Sequence, residues 1–240
     1  MIYITGIGPG NMEGLTAEAL SALRKCDIIS GYKVYADLVK KFLPEKNFSV
    51  YPMRSEIERC EDALELSKNG KCVALISSGD PGVYGMAGLM LEIAKDSNEE
   101  IKIIPGVTAA NSAAAILGAP LMNDYAVISL SDLMTSWEII LKRLKAACDG
   151  DFVICIYNPA SRGRPKNFKK ACEFLLKYKS PETPCGYVRN IKRENPEAEI
   201  MTLEKIRDCE KIDMLTTVII GNSKTYVLNG KLITPRGYEI

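Results

Sequence analysis

The chain has 240 residues and is almost electrically neutral, with 31 Lys and Arg residues against 30 Asp and Glu residues. Binding to a nucleic-acid backbone usually requires a broadly basic surface, so the composition argues against nucleic acid as a partner and leaves any anionic ligand to a local patch. The sequence contains no His, which removes the commonest general base and the commonest metal-binding side chain. Catalysis would have to use carboxylates, Lys, Tyr, Ser or bound water.

The opening segment, Met1-Ile2-Tyr3-Ile4, lacks the basic stretch and the long apolar run of a signal peptide. No segment approaches the roughly 18 uncharged apolar residues of a membrane span. We therefore predict a cytoplasmic protein with no membrane partner. The eight Cys residues are scattered and form no C-x-x-C pair, which zinc and cluster sites usually need. We predict reduced thiols and no metal site.

Short apolar runs rich in β-branched residues alternate with amphipathic stretches of helix length, which predicts an α/β fold. The predicted strands are residues 1–7, 28–30, 73–77, 101–104, 125–129, 152–157, 184–188 and 218–221. Helices are predicted to begin at Thr16, Thr108 and Ser161. The Ala-rich helix from Thr108 ends at Gly118, close to Pro120, and this break in periodicity predicts two α/β halves, residues 1–118 and 119–240.

Gly6-Ile7-Gly8-Pro9-Gly10 follows the first predicted strand. Glycines there allow a sharp turn and a close approach of a ligand to the backbone. The segment resembles half of a dinucleotide-binding fingerprint, but the third spaced glycine is missing and Pro9 has no N–H to donate. A plain turn and a ligand loop both remain open.

A second glycine-rich segment, residues 77–88, follows the apolar strand that includes Ile76. Open α/β sheets bind ligands at the carboxyl ends of such strands, and Asp80 is the obvious polar group there. We predict a ligand loop, with an Asx turn at Asp80 and packing glycines as the alternative.

Residues 105–112 join a strand to the Ala-rich helix, and small side chains there would allow a flat ligand or a second helix to approach the backbone. The unpaired N–H groups of the helix start could bind an acceptor, although capping and tight packing would explain the same residues. Tyr157-Asn158-Pro159 ends a later strand and precedes a cluster of cations. These cations suit a ligand with several carboxylates, or form a solvated basic helix face.

The order of the glycine-proline-glycine loop, the Gly79-Asp80-Pro81 loop and the Pro105-Gly106-Val107-Thr108-Ala109 turn resembles the tetrapyrrole methylase family, and the resemblance covers the whole chain. Further segments are similar to the subgroup that methylates carbon 17 of precorrin-3B or cobalt-factor III and contracts the macrocycle. They are residues 31–35, 56–60, 74–80, 85–89, 117–122, 128–133, 157–159 and 234–238.

The resemblance implies a methyltransferase of cobalamin biosynthesis that uses S-adenosylmethionine and releases S-adenosylhomocysteine. It also implies a homodimer, in which each chain has two αβα domains with the cofactor in the cleft between them. The first domain is expected to carry the tetrapyrrole cleft and the Gly-Asp-Pro loop, and the second domain is expected to complete the cofactor site. Carried over by position, the cofactor-binding residues are Pro9, Gly79, Asp80, Val83, Thr108, Ala109, Asn158, Asn190 and Thr217, with Tyr84, Tyr157, Arg189 and Thr216 beside them.

The implied substrate is an anionic tetrapyrrole, with or without cobalt. The residues expected to meet its carboxylates are Lys33, Arg54, Arg59, Arg162 and Arg164. Methylation needs little acid–base help because the leaving thioether is neutral, but ring contraction requires proton transfer. The candidates for that transfer, each of which could instead be structural, are Tyr32, Lys33, Glu58, Ser129, Ser131 and Asp132.

The chain departs from the subgroup at Asn123, where a His often follows the Leu-Met pair. A mechanism that requires His at this position is therefore not expected. Other functions remain open: methylation of another precorrin position, of ribosomal RNA or of protein, a nicotinamide-dependent oxidoreductase, or a non-enzymatic tetrapyrrole carrier. The incomplete fingerprint argues against the oxidoreductase, and the complete set of cofactor loops argues against the carrier. The composition, rich in Cys and Lys, favours the cobalt-containing substrate.

Overall fold

The computed structural model describes residues 1–161 and 163–239. The chain divides into two compact units, Met1–Ala109 and Ala110–Ile240. In each unit a β-sheet is flanked by helices. The structure therefore confirms the predicted α/β class.

The first unit contains a parallel sheet. Its strands are β1 (Ile2–Gly6), β2 (Ile28–Tyr32), β3 (Asn47–Tyr51), β4 (Val73–Ser77) and β5 (Ile101–Ile104). Its helices are α1 (Ala17–Lys25), α2 (Lys33–Lys40), α3 (Glu56–Lys68) and α4 (Ala87–Ile93). The strand order is β3-β2-β4-β1-β5, and every neighbouring pair is parallel. The carboxyl ends of all these strands consequently lie at one edge of the sheet.

Helices cover both faces of this sheet, which explains why its central strands are apolar. Leu23 of α1 and Val39 of α2 belong to the core on one face. Cys60 of α3 and Met90 of α4 belong to the core on the other face. Every residue of β1 and β4 is buried, as expected for parallel strands covered on both sides. The predicted start of α1 is also confirmed, because Thr16 Oγ1 caps the helix by accepting a hydrogen bond from Ala19 N.

The second unit contains a mixed sheet and a small three-stranded sheet. Its strands are β6 (Gly118–Ala119), β7 (Tyr125–Ser129), β8 (Val153–Tyr157), β9 (Pro184–Arg189), β10 (Glu197–Thr202), β11 (Thr216–Ile220), β12 (Tyr226–Leu228) and β13 (Lys231–Ile233). Its helices are α5 (Ala109–Leu117), α6 (Trp137–Asp149), α7 (Asn167–Leu175) and α8 (Leu203–Ile206). The mixed sheet has the order β10-β9-β11-β8-β7, with only β7 and β8 parallel, and the small sheet has the order β12-β13-β6.

The division of the chain differs from the predicted one after Gly118, since α5 lies almost wholly in the second unit. Ala110 N donates a hydrogen bond to Tyr157 Oη at 2.6 Å. Leu117 occupies the space above Gly186, where a Cβ would lie 2.8 Å from Leu117 Cδ2. The break in periodicity at Gly118 therefore marks the end of a helix, whose packing partners belong to the second unit.

The predicted helix start at Ser161 is wrong, because α7 begins at Asn167. Arg164 N donates to Ser161 O at 2.9 Å and Ser161 N donates to Arg164 O at 3.4 Å, which forms a tight turn. Pro165 disfavours the helical conformation of the residue before it, so the helix cannot extend back through this turn.

The eight Cys thiols are free, all within the described residues. Most are buried, and burial raises the pKa of Cys155 to about 12. Thiolate chemistry is therefore disfavoured there at neutral pH. Within the described residues, none of the helices combines the length and apolar character needed to cross a membrane.

An acid-sensitive contribution to stability is predicted at Asp208, whose carboxylate lies 2.6 Å from Arg207 Nη2 and 2.7 Å from Lys169 Nζ. These cations hold the pKa of Asp208 at about 2, below the unfolded value of roughly 3.9. The contacts therefore stabilise the fold above pH ~4, and their contribution is lost as the pH falls through about 2. We expect Asp208→Asn to lower the urea midpoint slightly at about pH 6 and not at about pH 2, because the pairs are exposed. Urea unfolding with Asp96→Asn as control tests this, and an equal deficit at both pH values would contradict it.

Candidate functional site

Three loops meet at the carboxyl edge of the first sheet. Residues 7–10 follow β1, residues 78–86 follow β4 and residues 105–108 follow β5. The loops are adjacent because their strands are neighbours in the order β4-β1-β5. We call these three loops the three-loop site.

Glycines bring the backbones of the three-loop site into direct contact. Gly79 N donates to Gly8 O at 2.8 Å, and Gly8 N donates to Gly79 O at 3.1 Å. Both residues have a left-handed φ, of 59° at Gly8 and 67° at Gly79, which favours glycine. A Cβ on Gly106 would lie only 2.1 Å from the carbonyl oxygen of Gly79. These glycines are therefore needed for contact between the loops themselves.

Asp80 connects the second loop to the third. Its Oδ1 accepts a hydrogen bond from Gly82 N at 2.8 Å, and its Oδ2 accepts one from Gly106 N at 3.0 Å. The first bond is the Asx turn considered from the sequence, and the second is a tertiary contact. Because both carboxylate oxygens accept hydrogen bonds from backbone N–H groups, Asp80 is suited to holding the second and third loops together.

The remaining cofactor candidates of the first unit lie on or directly beside the same loops. Val83 N donates to Asp80 O at 3.3 Å, and the side chain of Tyr84 is 56% exposed at the surface of the loop. Thr108 Cα and Ala109 N both lie 3.6 Å from the position that a Cβ on Gly79 would occupy.

Pro9 lies on the first loop and packs on Gly14, where a Cβ would lie 2.5 Å from Pro9 Cγ. The structure therefore brings the seven cofactor candidates of this unit to one edge of its sheet. This grouping follows from the parallel strands, since each loop leaves its strand at the same end.

The substrate and catalytic candidates of the first unit lie at the same edge, after β2 and β3. Tyr32 ends β2, and its ring meets that of Tyr35 edge to face at 5.3 Å between centroids. Lys33 Nζ donates to Asp37 Oδ2 at 2.6 Å on the exposed surface of α2.

Arg54, Glu58 and Arg59 follow β3 in the loop and the first turn of α3. Arg54 and Glu58 are exposed, and Arg54 has a left-handed φ of 72°. Arg59, in contrast, is only 3% exposed. These three candidates therefore occupy different environments, although they are close in sequence.

In the second unit, the ends of β7 and β8 carry a cluster of polar groups. Asn158 Nδ2 donates to Ser129 Oγ at 2.9 Å, and Ser131 N donates to the same oxygen at 3.2 Å. Asn158 has a left-handed φ of 50°, which Asn adopts more readily than most residues. Two parallel neighbouring strands thus bring the candidates Ser129, Ser131 and Asn158 together. Tyr157 Oη accepts the hydrogen bond from Ala110 N at the start of α5, so this N–H group of the helix terminus already has a partner within the protein.

Arg164 lies beside this cluster with its side chain 12% exposed. Its Nε donates to Ser161 Oγ at 3.2 Å and is 3.8 Å from Asp132 Oδ1. Its Nη1 is buried and has no hydrogen-bond partner in the described part of the chain. The structure therefore groups the candidates Asp132 and Arg164. Arg162 lies outside the described residues.

The candidates on β9 and β11 form a network of their own. Arg189 Nε donates to Asp213 Oδ2 at 2.8 Å and its Nη1 donates to Glu197 Oε1 at 3.2 Å. The hydrogen bond that Arg189 donates to Asp213 raises the pKa of Arg189 above its usual value. Thr216 Oγ1 donates to Asp213 Oδ1 at 3.0 Å. Arg189 and Thr216 thus have partners within the protein that the sequence did not indicate.

Asn190 and Thr217 are adjacent to that network. Asn190 N donates to Leu215 O at 3.1 Å, and its φ of 52° is left-handed. Thr217 is buried in β11 and pairs in register with Val188. Sequence reasoning missed Asp213, which orders this region from a loop far along the chain and carries no local motif.

Asn123, where the subgroup often has His, is exposed, and its Oδ1 accepts a hydrogen bond from the neighbouring Asp124 N at 2.8 Å. This contact is local and connects it to none of the clusters described above. In residues 1–161 and 163–239, no group of three or more Cys, Asp or Glu side chains is placed to hold a metal ion.

Comparison with known proteins links these features to one family. The model of the Tetrapyrrole (Corrin/Porphyrin) Methylases matches residues 1–207. A "Probable cobalt-factor III C(17)-methyltransferase" of Salmonella typhimurium is 49% identical over 100% of both chains. A "Precorrin-3B C(17)-methyltransferase" of a Sinorhizobium species is 35% identical over 99% of this chain and 96% of the other. The crystal structure of the methyltransferase CobJ superposes with a TM-score of 0.89 at 35% identity, covering 98% of this chain and 99% of that one.

Proposed function

Because the chain belongs to the tetrapyrrole (corrin/porphyrin) methylase family, we propose that it methylates carbon 17 of cobalt-factor III and contracts the macrocycle in cobalamin biosynthesis. S-adenosylmethionine is the proposed methyl donor. The observation that carries the proposal is the identity with the cobalt-factor III relative over the full length of both chains. The relative that acts on precorrin-3B is less similar, which favours the cobalt-containing substrate.

The three-loop site fits S-adenosylmethionine. It lies at the carboxyl ends of three neighbouring parallel strands, which is the edge at which open α/β sheets bind ligands. When bound, S-adenosylmethionine would supply the methyl group as an electrophilic sulfonium. We propose that Pro9, Gly79, Asp80, Val83 and Tyr84, with the neighbouring Thr108 and Ala109, bind it in the first unit. Tyr157, Asn158, Arg189, Asn190, Thr216 and Thr217 are the proposed contacts in the second unit.

The contribution of the chain to methyl transfer is mainly positioning. Holding two reactants in a reactive geometry can lower the barrier by roughly 7–11 kcal/mol. Asp80 acts in this way by joining two loops through its two carboxylate oxygens. No general base is needed for this step, which agrees with a chain that contains no His.

Ring contraction requires proton transfer, and we propose the cluster at the ends of β7 and β8 for that role. Ser129 Oγ accepts hydrogen bonds from Asn158 Nδ2 and from Ser131 N, which places this hydroxyl oxygen at the centre of the cluster. Asp132, whose side chain is 35% exposed, lies 3.8 Å from Arg164 Nε. Tyr32, Lys33 and Glu58 are the proposed alternatives in the first unit.

The substrate carries many carboxylates, so local cations are expected to bind it. Lys33 and Arg54 are exposed at the carboxyl edge of the first sheet, and Arg164 offers a buried N–H without a partner among the described residues. Arg59 and Arg162 complete the proposed set.

We also propose that the protein is a cytoplasmic homodimer. Leu133 and Met134 are 62% and 96% exposed on the segment after β7, and exposed apolar side chains in contiguous patches often mark an interface. Light scattering tests the assembly. A mass near 26.4 kDa at micromolar concentration would contradict the dimer.

The function is tested by anaerobic incubation of the protein with S-adenosylmethionine and either cobalt-factor III or metal-free precorrin-3B, followed by mass spectrometry. We expect cobalt-factor III to gain one methyl group while an equal amount of S-adenosylhomocysteine forms. Reaction of precorrin-3B alone would reassign the substrate. Cofactor binding without methylation of either compound would rule out the corrin assignment and favour another acceptor, whereas tetrapyrrole binding without cofactor binding would indicate a carrier.

A further inference from the structure

Arg59 is a buried cation that lacks a close partner. The residue is 3% exposed, and its Nε is enclosed and has no hydrogen-bond partner within residues 1–161 and 163–239. Its Nη2 lies 3.9 Å from Glu56 Oε1, which is too far for a hydrogen bond. Guanidinium remains charged in proteins, and burying a charge is costly unless it is paired and hydrogen-bonded.

The neighbouring carboxylate does not satisfy this charge either. Asp62 lies one turn farther along α3, and its Oδ2 accepts a hydrogen bond from Tyr51 Oη at 2.7 Å. Tyr51 Oη in turn accepts one from Ser49 Oγ at 3.0 Å. Asp62 is therefore engaged with β3, and no carboxylate of the described residues lies within hydrogen-bond distance of Arg59.

A second buried polar group without a hydrogen-bond partner among the described residues lies on the face of the first sheet that packs against α3. Ser30 is fully buried, and its Oγ makes no hydrogen bond to the described residues. Ser30 pairs in register with Leu75, and paired residues face the same side of a sheet. Leu75 packs with Cys60 and Leu64 of α3 in one core cluster. Ser30 therefore faces the helix that carries Arg59.

The guanidinium of Arg59 lies toward the carboxyl edge of the sheet. Helical side chains lean toward the N-terminus of their helix, and α3 begins at the carboxyl edge, where the three-loop site also lies. The contact of Nη2 with Glu56, whose side chain is 48% exposed, shows that this end of the guanidinium is close to the surface. An anion that displaces the Glu56 side chain at the start of α3 would meet the guanidinium.

We propose that Arg59 binds one carboxylate of the substrate, which completes a buried ion pair that the chain alone leaves incomplete. The guanidinium is built for such a group, since it can donate two parallel hydrogen bonds to one carboxylate. The inference rests on the proposed function in taking a polycarboxylate tetrapyrrole as the ligand. Its test uses binding and stability and requires no turnover.

The experiment compares the wild type with Arg59→Met and Arg59→Lys. The control is Arg143→Met on the exposed face of α6, which also removes one positive charge. Cobalt-factor III is titrated by absorbance, S-adenosylhomocysteine by calorimetry, and thermal unfolding is recorded for each variant. We expect Arg59→Met to bind the tetrapyrrole roughly 10- to 100-fold more weakly, with unchanged S-adenosylhomocysteine affinity. Its Tm should equal or exceed that of the wild type, because the substitution removes a buried charge whose Nε has no hydrogen bond among the described residues and whose contact with Glu56 is 3.9 Å long.

A purely structural Arg59 would give a different result: a lower Tm and parallel losses for both ligands. That result, or an unchanged tetrapyrrole affinity, would overturn the proposal. If Arg59→Met does not fold, Arg59→Lys decides, because lysine keeps the charge but cannot donate two parallel bonds. If Arg59→Lys bound the tetrapyrrole more weakly while its Tm equalled that of the wild type, the proposal would be supported. Unchanged tetrapyrrole binding by Arg59→Lys would refute it.

Separate titrations with sodium acetate and inorganic phosphate distinguish this proposal from the function itself. If the wild type binds no tetrapyrrole, the corrin function fails. The anion site then stands only if acetate or phosphate raises the Tm of the wild type and of Arg143→Met but not that of Arg59→Met. An equal rise in all three proteins, or none, would remove the site as well.

Discussion

Asp80→Asn is expected to weaken S-adenosylhomocysteine binding roughly 10- to 100-fold while the chain stays folded. The asparagine oxygen can keep the bond to Gly82 N, but the amide nitrogen then faces the N–H of Gly106, so that two donors meet where a donor and an acceptor met before. Hydrogen bonds to charged groups contribute about 1.5–3 kcal/mol, which corresponds to this range of affinity. The substitution therefore weakens the hydrogen-bonded contact between the second and third loops of the three-loop site.

Calorimetric titration with S-adenosylhomocysteine measures this effect, and methyl transfer to the tetrapyrrole should decline in parallel. Asp96→Asn is the control, because its carboxylate is 90% exposed and its contact with Lys95 is 4.0 Å long. If Asp80→Asn bound S-adenosylhomocysteine with wild-type affinity, the contact between the second and third loops would not position the cofactor. A loss of the same size in Asp96→Asn would show that net charge, and not loop geometry, controls binding.

Gly106→Ala is expected to lower the Tm by roughly 5–10 °C and to weaken cofactor binding by about 100-fold or more. The new Cβ would lie 2.1 Å from Gly79 O and 2.9 Å from Gly6 Cα, where ordinary contacts begin at 3.4 Å. These neighbours are backbone atoms of the second loop and of the end of β1, so the clash cannot be relieved by rotating a side chain. The three loops must separate, and the Asp80 contact to Gly106 N is strained at the same time.

Gly88→Ala provides the matched control for this substitution. A Cβ on Gly88 meets nothing within 4 Å, and the residue lies within α4. Replacing a helical glycine by alanine usually stabilises by about 0.5–1 kcal/mol, so a slight rise in Tm is expected with unchanged binding. If Gly106→Ala behaved like Gly88→Ala, the close contact of the three loops would not be required for either stability or cofactor binding.

The two variants address the same physical requirement from different directions. Asp80→Asn removes the attraction that joins two loops, and Gly106→Ala introduces repulsion between their backbones. Both should therefore reduce cofactor affinity before any reacting group is altered. This is expected of a methyltransferase whose rate depends on orientation, since the methyl donor carries its own leaving group.

The sequence by itself determined the α/β class, the bounds of β4, β5 and β7, and the loops that bear the cofactor candidates. These features are local. Buried strands require continuous apolar runs, and a backbone with positive φ or close contacts requires glycine. Both features can therefore be predicted from a few neighbouring residues. Edge strands such as β3 and β10 were missed because they are only partly buried and mix polar with apolar residues.

Only the tertiary structure decided which polar side chains are partnered and which are not. The bond from Gly106 to Asp80 joins residues 26 positions apart, and the contact of Asp213 with Arg189 spans 24 positions. The same holds for Arg59, which the sequence grouped with the exposed cations Lys33 and Arg54, whereas the structure buries it and leaves its Nε without a hydrogen-bond partner among the described residues. Burial and pairing depend on what the rest of the fold places around a side chain, and no short stretch of sequence contains that information.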